Sequence, residues 1–155
     1  MAQIRHLAIA CEHPGKTADF YKKAFGFKEV RRNGFDPNNP DPDVAPRPCS
    51  VMMTDGYIGI ALLRVHRDQT GVGMDYQGLH HFGVVVDDPA SWTEHLESLG
   101  APNITRAEDL SPHSHWEIKF RGPDNVVFDI SNATWPGAAP VDPATTKQPA
   151  LEPAE

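Results

Sequence analysis

Cysteine is close to absent: Cys11 and Cys49 are the two in a chain of 155 residues. Two are too few for a disulfide framework, and a chain of this length can bury a core without one. Long apolar runs are missing as well. Neither the opening MAQIRHLAIAC nor any later stretch has the length of a membrane span or the pattern of a secretory signal. Positive charge is short, with 14 Lys and Arg against 21 Asp and Glu and a net charge of -7. That balance speaks against nucleic acid or an anionic membrane surface as the main partner. These absences leave a cytoplasmic chain with one globular core, or two small modules sharing one, and small molecules as its expected partners.

What is present is a repeat. The runs RHLAIACEHP (residues 5–14) and LHHFGVVVDDP (79–89) each hold a histidine, an alternating small and large apolar run, an acidic residue and a proline. Setting His6 against His81 aligns Leu7 with Phe82, Ala8 with Gly83, Ile9 with Val84 and Pro14 with Pro89. Self-similarity of this kind marks two copies of one supersecondary unit. In the first copy, residues 4–11 alternate as a strand, Pro14 suits the first turn of a helix, and Gly26 stops it. FKEVRR (27–32) reads as a second strand. Residues 34–48 carry five prolines and can form neither helix nor central strand, so they are a covering lid or a disordered loop. Residues 50–54 and 57–65 read as a hairpin around Asp55-Gly56.

The second copy repeats the order. After a polar connection at 67–78, Asp88 is a helix N-cap, Pro89 its first residue and Gly100 its stop, with Trp92, Leu96 and Leu99 as the apolar stripe. Residues 103–106 read as a short strand, HWEIKFR (115–121) as the next, GPDN as a turn and 126–130 as the closing strand. Beyond Trp135 the composition is rich in Pro and Ala without periodicity, which predicts a flexible tail. The expectation is an α+β fold: two βαβββ modules, 1–66 and 79–135, forming a cupped, eight-stranded mixed sheet with helices outside, and a tail at 136–155.

Alternation then separates two faces. Leu7, Ile9 and Cys11, like Phe82, Val84 and Val86, belong under the helices. His6 and His81 take the opposite, concave side, where Ala8 and Gly83 leave a hollow fit for a ligand. With Phe128 and Ile130 under the second helix, Asp129 faces the same hollow. Two imidazoles and one carboxylate leave about three positions open on an octahedral ion, which a catalytic metal needs. A lone strand histidine is more often a packed side chain than a ligand; repetition at equivalent points is what favours the metal. His80 is expected to face the helix and be structural, Tyr57 to pack, and His13 and His66 to be solvated. His115, Glu117 and Lys119 share the polar face of one strand. They are either a water-facing edge or candidate acid, base and substrate-anchoring groups lining the hollow.

Three runs, HLAIACEHPGKTADFYKKAFGF, HHFGVVVDDPASWTEHLESLG and FRGPDNVVFDI, together resemble the vicinal oxygen chelate superfamily, over residues 4–131. That superfamily includes glyoxalase I, bleomycin-resistance proteins, methylmalonyl-CoA epimerase, fosfomycin-resistance enzymes and extradiol dioxygenases. The resemblance implies paired βαβββ modules around one divalent metal, held here by His6, His81 and Asp129, the last where the superfamily more often has Glu. It also implies a homodimer. Glyoxalase and epimerase members usually carry a further Glu on the last strand of module one, where this chain has Gly59 and Ala61. That lack speaks against proton-shuttling isomerase chemistry. The remaining donor set resembles Fe(II) extradiol dioxygenases and Mn(II) fosfomycin-resistance transferases, although Lys119 and Gly122 stand where the extradiol signature has a tyrosine and an acid. The expectation is therefore a metal-dependent, dioxygenase-like enzyme for a small catechol-like substrate, with Fe(II) first and Mn(II), Ni(II) or Zn(II) as alternatives. A lyase, isomerase or thiol transferase, and a non-catalytic antibiotic-binding protein, are the competing readings.

Overall fold

A computed structural model describes residues 2–107 and 117–140. The elements are β1 (Gln3–Ala10), α1 (Pro14–Phe25), β2 (Lys28–Asn33), β3 (Cys49–Thr54), β4 (Gly59–Arg64), β5 (Gly78–Val85), α2 (Pro89–Ser98), β6 (Ile118–Arg121) and β7 (Val127–Ser131). The fold is α+β, as expected, with a mixed sheet in the order β2-β3-β4-β1-β5-β7-β6. Two compact units divide it: one holds Arg5–Phe82 and Trp135–Ala139, the other Gly83–Thr134 with residues at the chain ends.

In the larger unit, β1 runs parallel to β4, placing His6 opposite Gly59 and Ala8 opposite Ala61. β3 pairs antiparallel with β4 on one side and β2 on the other. α1 begins at Pro14, whose missing N–H costs nothing in a first turn, and ends at Gly26, in the left-handed conformation (φ 71°) that glycine adopts without steric cost. Its Ala18 packs on Val51, Met53, Ile60 and Leu62, and Ile9 and Cys11 reach the same core, as the alternation predicts. Tyr57 stands outside the sheet. Asp55 Oδ1 accepts from the backbone N–H groups of Tyr57 and Ile58, so the turn is wider than Asp55-Gly56 and leaves Tyr57 77% exposed.

The proline-rich loop at 34–48 is anchored at several points. Arg32 donates to Asp41 Oδ1 at 2.6 Å and to the Pro40 carbonyl at 3.1 Å. The same guanidinium meets Glu29 Oε1 at 2.6 Å, and Lys22 Nζ meets Glu29 Oε2 at 3.0 Å. The hydrogen bond from Arg32 outweighs desolvation and holds the Glu29 carboxyl below its ordinary range. A depressed folded-state pKa gives stability that is full above the unfolded value and lost as pH falls through the folded one. Glu29→Gln is therefore expected to flatten the acid side of the stability curve below about pH 4, the unfolded glutamate range. Urea titrations at stepped pH would check this.

In the smaller unit, Asp88 caps α2 by accepting from the Ala90 N–H at 3.1 Å. Asp88→Ala should cost about 1 kcal/mol, read as a shifted urea midpoint at constant slope. Trp92, with Leu96 beside it, meets Val86, Phe120 and Ile130 in the core, while its Nε1 donates to Asp87. Leu99 does not join this stripe; it is 66% exposed at the helix C-cap. The turn after β6 carries Asp124 and Asn125 at positive φ, 56° and 61°. Asp and Asn tolerate that conformation in tight hairpins.

The eighth strand shrinks to a bridge between Asn103 and Phe120. Pro102 has no N–H to give, and the Asn103 side chain captures the Thr105 N–H at 2.9 Å, which turns the chain out of extension. Ile104 still donates to the Lys119 carbonyl, so the edge of β6 is partly covered. No helix among the described residues is long and apolar enough to cross a membrane.

Candidate metal centre

His6 lies on β1 and His81 on β5, and both rings are buried, at 1% and 5% exposure. Their Nε2 atoms face each other at 3.2 Å with the rings nearly perpendicular. Two nitrogens bound to one ion at about 2.0–2.1 Å lie roughly 3 Å apart, so this spacing suits a shared ion. The repeat thus does bring its two histidines together.

Asp129 lies on β7 in the other unit, fully buried, with cross-strand register placing Lys119 of β6 directly opposite. Lys119 Nζ is 3.3 Å from Asp129 Oδ2 and 3.9 Å from Glu117 Oε2. The polar face of β6 is therefore no water-facing edge at Lys119, which is 7% exposed. Lys119 Nζ is a hydrogen-bond donor to this carboxylate. His6 and His81 are thus two buried imidazoles at a metal-ligand spacing in one unit, and Asp129 is a buried carboxylate in the other. His115 lies outside the described residues.

Two features differ from the sequence reading. His80 does not turn away to a helix face; it is 7% exposed and its Nδ1 lies 2.7 Å from His81 Nδ1. The hollow expected beside His6 is also filled. Trp135 stacks on His6 with ring centroids 4.9 Å apart and planes at 28°. The Arg5 guanidinium lies over the indole at 5.4 Å, and the indole Nε1 donates to the Met53 carbonyl at 2.9 Å. Ala8, Ala61 and Ala138 pack around it. A Cβ on Gly59 would lie 2.1 Å from the indole, so only glycine admits this ring. The segment expected to be a free tail from 136 accordingly packs here as far as Ala139, whose N–H donates to the Gly56 carbonyl. Gly59, in the interior of a strand, was the available signal, since such a glycine often marks a close approach.

A polar cavity of about 190 Å³ lies elsewhere, lined in part by Cys11, Glu12, Arg47, Arg64 and Tyr76. Its guanidinium groups already have partners, Arg47 donating to Asp75 Oδ1 as well as to the backbone. Arg47 donates to the Val65 and Met74 carbonyls, and Arg64 to the Ala45 carbonyl. Burial pushes the Cys11 and Cys49 thiols up, so neither is an activated nucleophile.

Residues 3–130 match the model of the Glyoxalase/Bleomycin resistance protein/Dioxygenase superfamily. The chain belongs to this superfamily. No curated protein sequence matches significantly. Solved structures do, and they share the superfamily fold. A hypothetical protein from Bacillus halodurans C-125 is 14% identical with a TM-score of 0.62, over 99% of this chain and 98% of that one. A Streptomyces coelicolor methylmalonyl-CoA epimerase, bound to 2-nitronate-propionyl-CoA, is 17% identical with a TM-score of 0.61, over 83% and 94%. The methylmalonyl-CoA epimerase from Mycobacterium tuberculosis is 14% identical with a TM-score of 0.60, over 83% and 85%. At these identities the likeness speaks for fold and not for reaction. The superfamily model nonetheless supports the metal-binding reading that the buried donor set gives on chemical grounds.

Proposed function

We propose that this chain is a metal-dependent enzyme that binds a small oxygenated substrate, catechol-like in its adjacent oxygens, at His6, His81 and Asp129, and that it works as a dioxygenase with Fe(II). The observation that carries the reading is the β4 face beside His6. Gly59 and Ala61 offer no carboxylate, and Trp135 lies against Gly59 so closely that no longer side chain fits there. An isomerase that shuttles a proton through a carboxylate on this strand has no residue to do it.

An ion held by His6, His81 and Asp129 would supply Lewis acidity toward two adjacent substrate oxygens. The chain's own residues do the rest. His6 and His81 would contribute imidazole nitrogens on buried rings. Lys119 donates to Asp129 and is the proposed anchor for a substrate oxygen. Glu117, a third exposed and 3.9 Å from Lys119, is the proposed acceptor of a substrate proton, with His115 as the second candidate for that role. Trp135 gives the site an apolar, water-excluding wall. The family habit of dimerisation extends to this chain.

Protein loaded anaerobically with Fe(II) and mixed with catechols is expected to consume O2 in proportion to ring-opened product. A lack of O2 uptake, with deuterium exchange from solvent into the carbon acid of an acyl thioester instead, would favour the second reading, an epimerase-like isomerase. The structural likeness to methylmalonyl-CoA epimerases is what keeps that reading in view.

A further inference from the structure

We propose that the polar cavity at the carboxyl ends of β1 and β4 binds a small monocarboxylate on the guanidinium of Arg64. Ala10, Cys11 and Glu12 enter it from β1, and Leu63, Arg64 and Val65 from β4, while Arg47 and residues 74–77 line the remainder. All of these belong to the larger unit. Ala10 lies four residues beyond His6 on β1, roughly 13 Å along the strand, so the cavity stands apart from the paired imidazoles.

The two guanidinium groups are in different states. Arg47 is engaged throughout: Nη1 donates to the Val65 carbonyl at 2.9 Å and the Met74 carbonyl at 3.0 Å, and Nη2 meets Asp75 Oδ1 at 2.5 Å. Its charge is matched and it fixes one wall. Arg64 has a single acceptor, the Ala45 carbonyl, on Nη1. Among the described residues it pairs with no carboxylate, and its Nε is buried without an acceptor. Buried donors are normally hydrogen-bonded, so an exception lining a cavity marks a place for an acceptor. The Nε–H and one Nη2–H of an arginine lie parallel on one edge of its plane and match the two oxygens of a carboxylate. With Nη1 engaged, that edge is what Arg64 has left.

The rest of the lining narrows the ligand. Glu12 and Asp75 border the same cavity and repel multiple negative charge, which favours a singly charged carboxylate over phosphate. The volume of about 190 Å³ lies below the usual range of about 300–1,000 Å³ for larger ligands, so the acid has few carbon atoms. Burial holds the Cys11 thiol above its ordinary pKa, so Cys11 is a neutral wall and the site binds without covalent chemistry.

The test is a titration of metal-free full-length protein with propanoate, followed in amide proton–nitrogen spectra. Shifts are expected at residues 10–12, 63–65 and 74–77, and not at His6 or His81. Arg64→Met keeps the stem and removes the fork, and should weaken propanoate binding about 10–100-fold, the loss of a charge-assisted pair. Arg64→Lys keeps the charge without the fork and should fall between methionine and wild type. Propanamide, of the same shape but uncharged, and inorganic phosphate should each bind about tenfold or more weakly than propanoate. Shifts confined to other residues, or an affinity unchanged in Arg64→Met, would overturn the site. Phosphate or propanamide binding as tightly as propanoate would overturn the ligand class. If Arg64→Met fails to fold, the wild-type shift map and Arg64→Lys decide, and an unchanged affinity in the lysine variant would remove the bidentate pairing.

Discussion

His81→Ala is expected to lower affinity for a divalent ion by two to three orders of magnitude. Metal binding at protein sites of four ligands is worth about 10–16 kcal/mol in apparent terms, so one ligand accounts for roughly 3–4 kcal/mol, and each 1.4 kcal/mol is tenfold. His81 is chosen over His6 because His6 carries the stacked indole as well, and its removal would disturb packing and ligation together. Competition against a chelator gives the affinity directly. Linkage gives an independent measure: metal that binds only the folded state raises the melting temperature with concentration. That rise should be present in the wild-type protein and absent in the variant. Equal affinities in the two proteins would remove His81 from the centre and the three-donor reading with it.

Trp135→Ala is expected to cost about 3–5 kcal/mol of stability, the range for truncating a large buried aromatic side chain. Several losses fall together. The indole is 5% exposed, so its removal leaves a cavity between His6, Ala8, Ala61 and the Gly59 backbone. The Met53 carbonyl loses its donor, and the Arg5 guanidinium loses the ring beneath it. Trp135→Phe should recover much of the packing but not the hydrogen bond, and should fall between wild type and alanine. Urea denaturation followed by circular dichroism separates the three. A cost below about 1 kcal/mol, ordinary for surface substitutions, would show that the segment contributes nothing to the fold.

Much of this architecture is legible in the chain because it depends on period. The alternation in residues 4–11 and its echo at 79–86 assign both first strands, and Pro14, Gly26 and Asp88 mark the helix ends by local chemistry. The histidine pair follows from aligning the copies. What the pattern misses depends on approach from a distance. Nothing near Trp135 in sequence says that an indole will lie on β4; the trace is Gly59, a missing side chain that reads equally well as a missing ligand. The absence of a carboxylate there and the presence of the indole are one fact seen from two sides. His80 fails for another reason. Alternation describes where Cβ points, whereas a flat ring with two rotatable bonds can swing its nitrogen back toward a neighbour. The eighth strand is lost to a side chain, Asn103, that bonds its own backbone first.

The packing of Trp135 also marks where the two copies of the repeat stop being alike. The helix-facing residues of the two copies are alike in kind, Ile9 and Cys11 in one, Val84 and Val86 in the other. The opposite faces are not. One copy has an acid on its last strand, Asp129, with a lysine across from it; the other has no polar group at Gly59 and Ala61 and packs there against an indole from the second copy's last residue. The two copies match on the side of the first strands that meets the helices and differ on the other side, at the last strands. A mutation carried from one half to the equivalent place in the other therefore has no reason to behave alike, and the pseudo-symmetry so plain in the sequence ends where the chemistry begins.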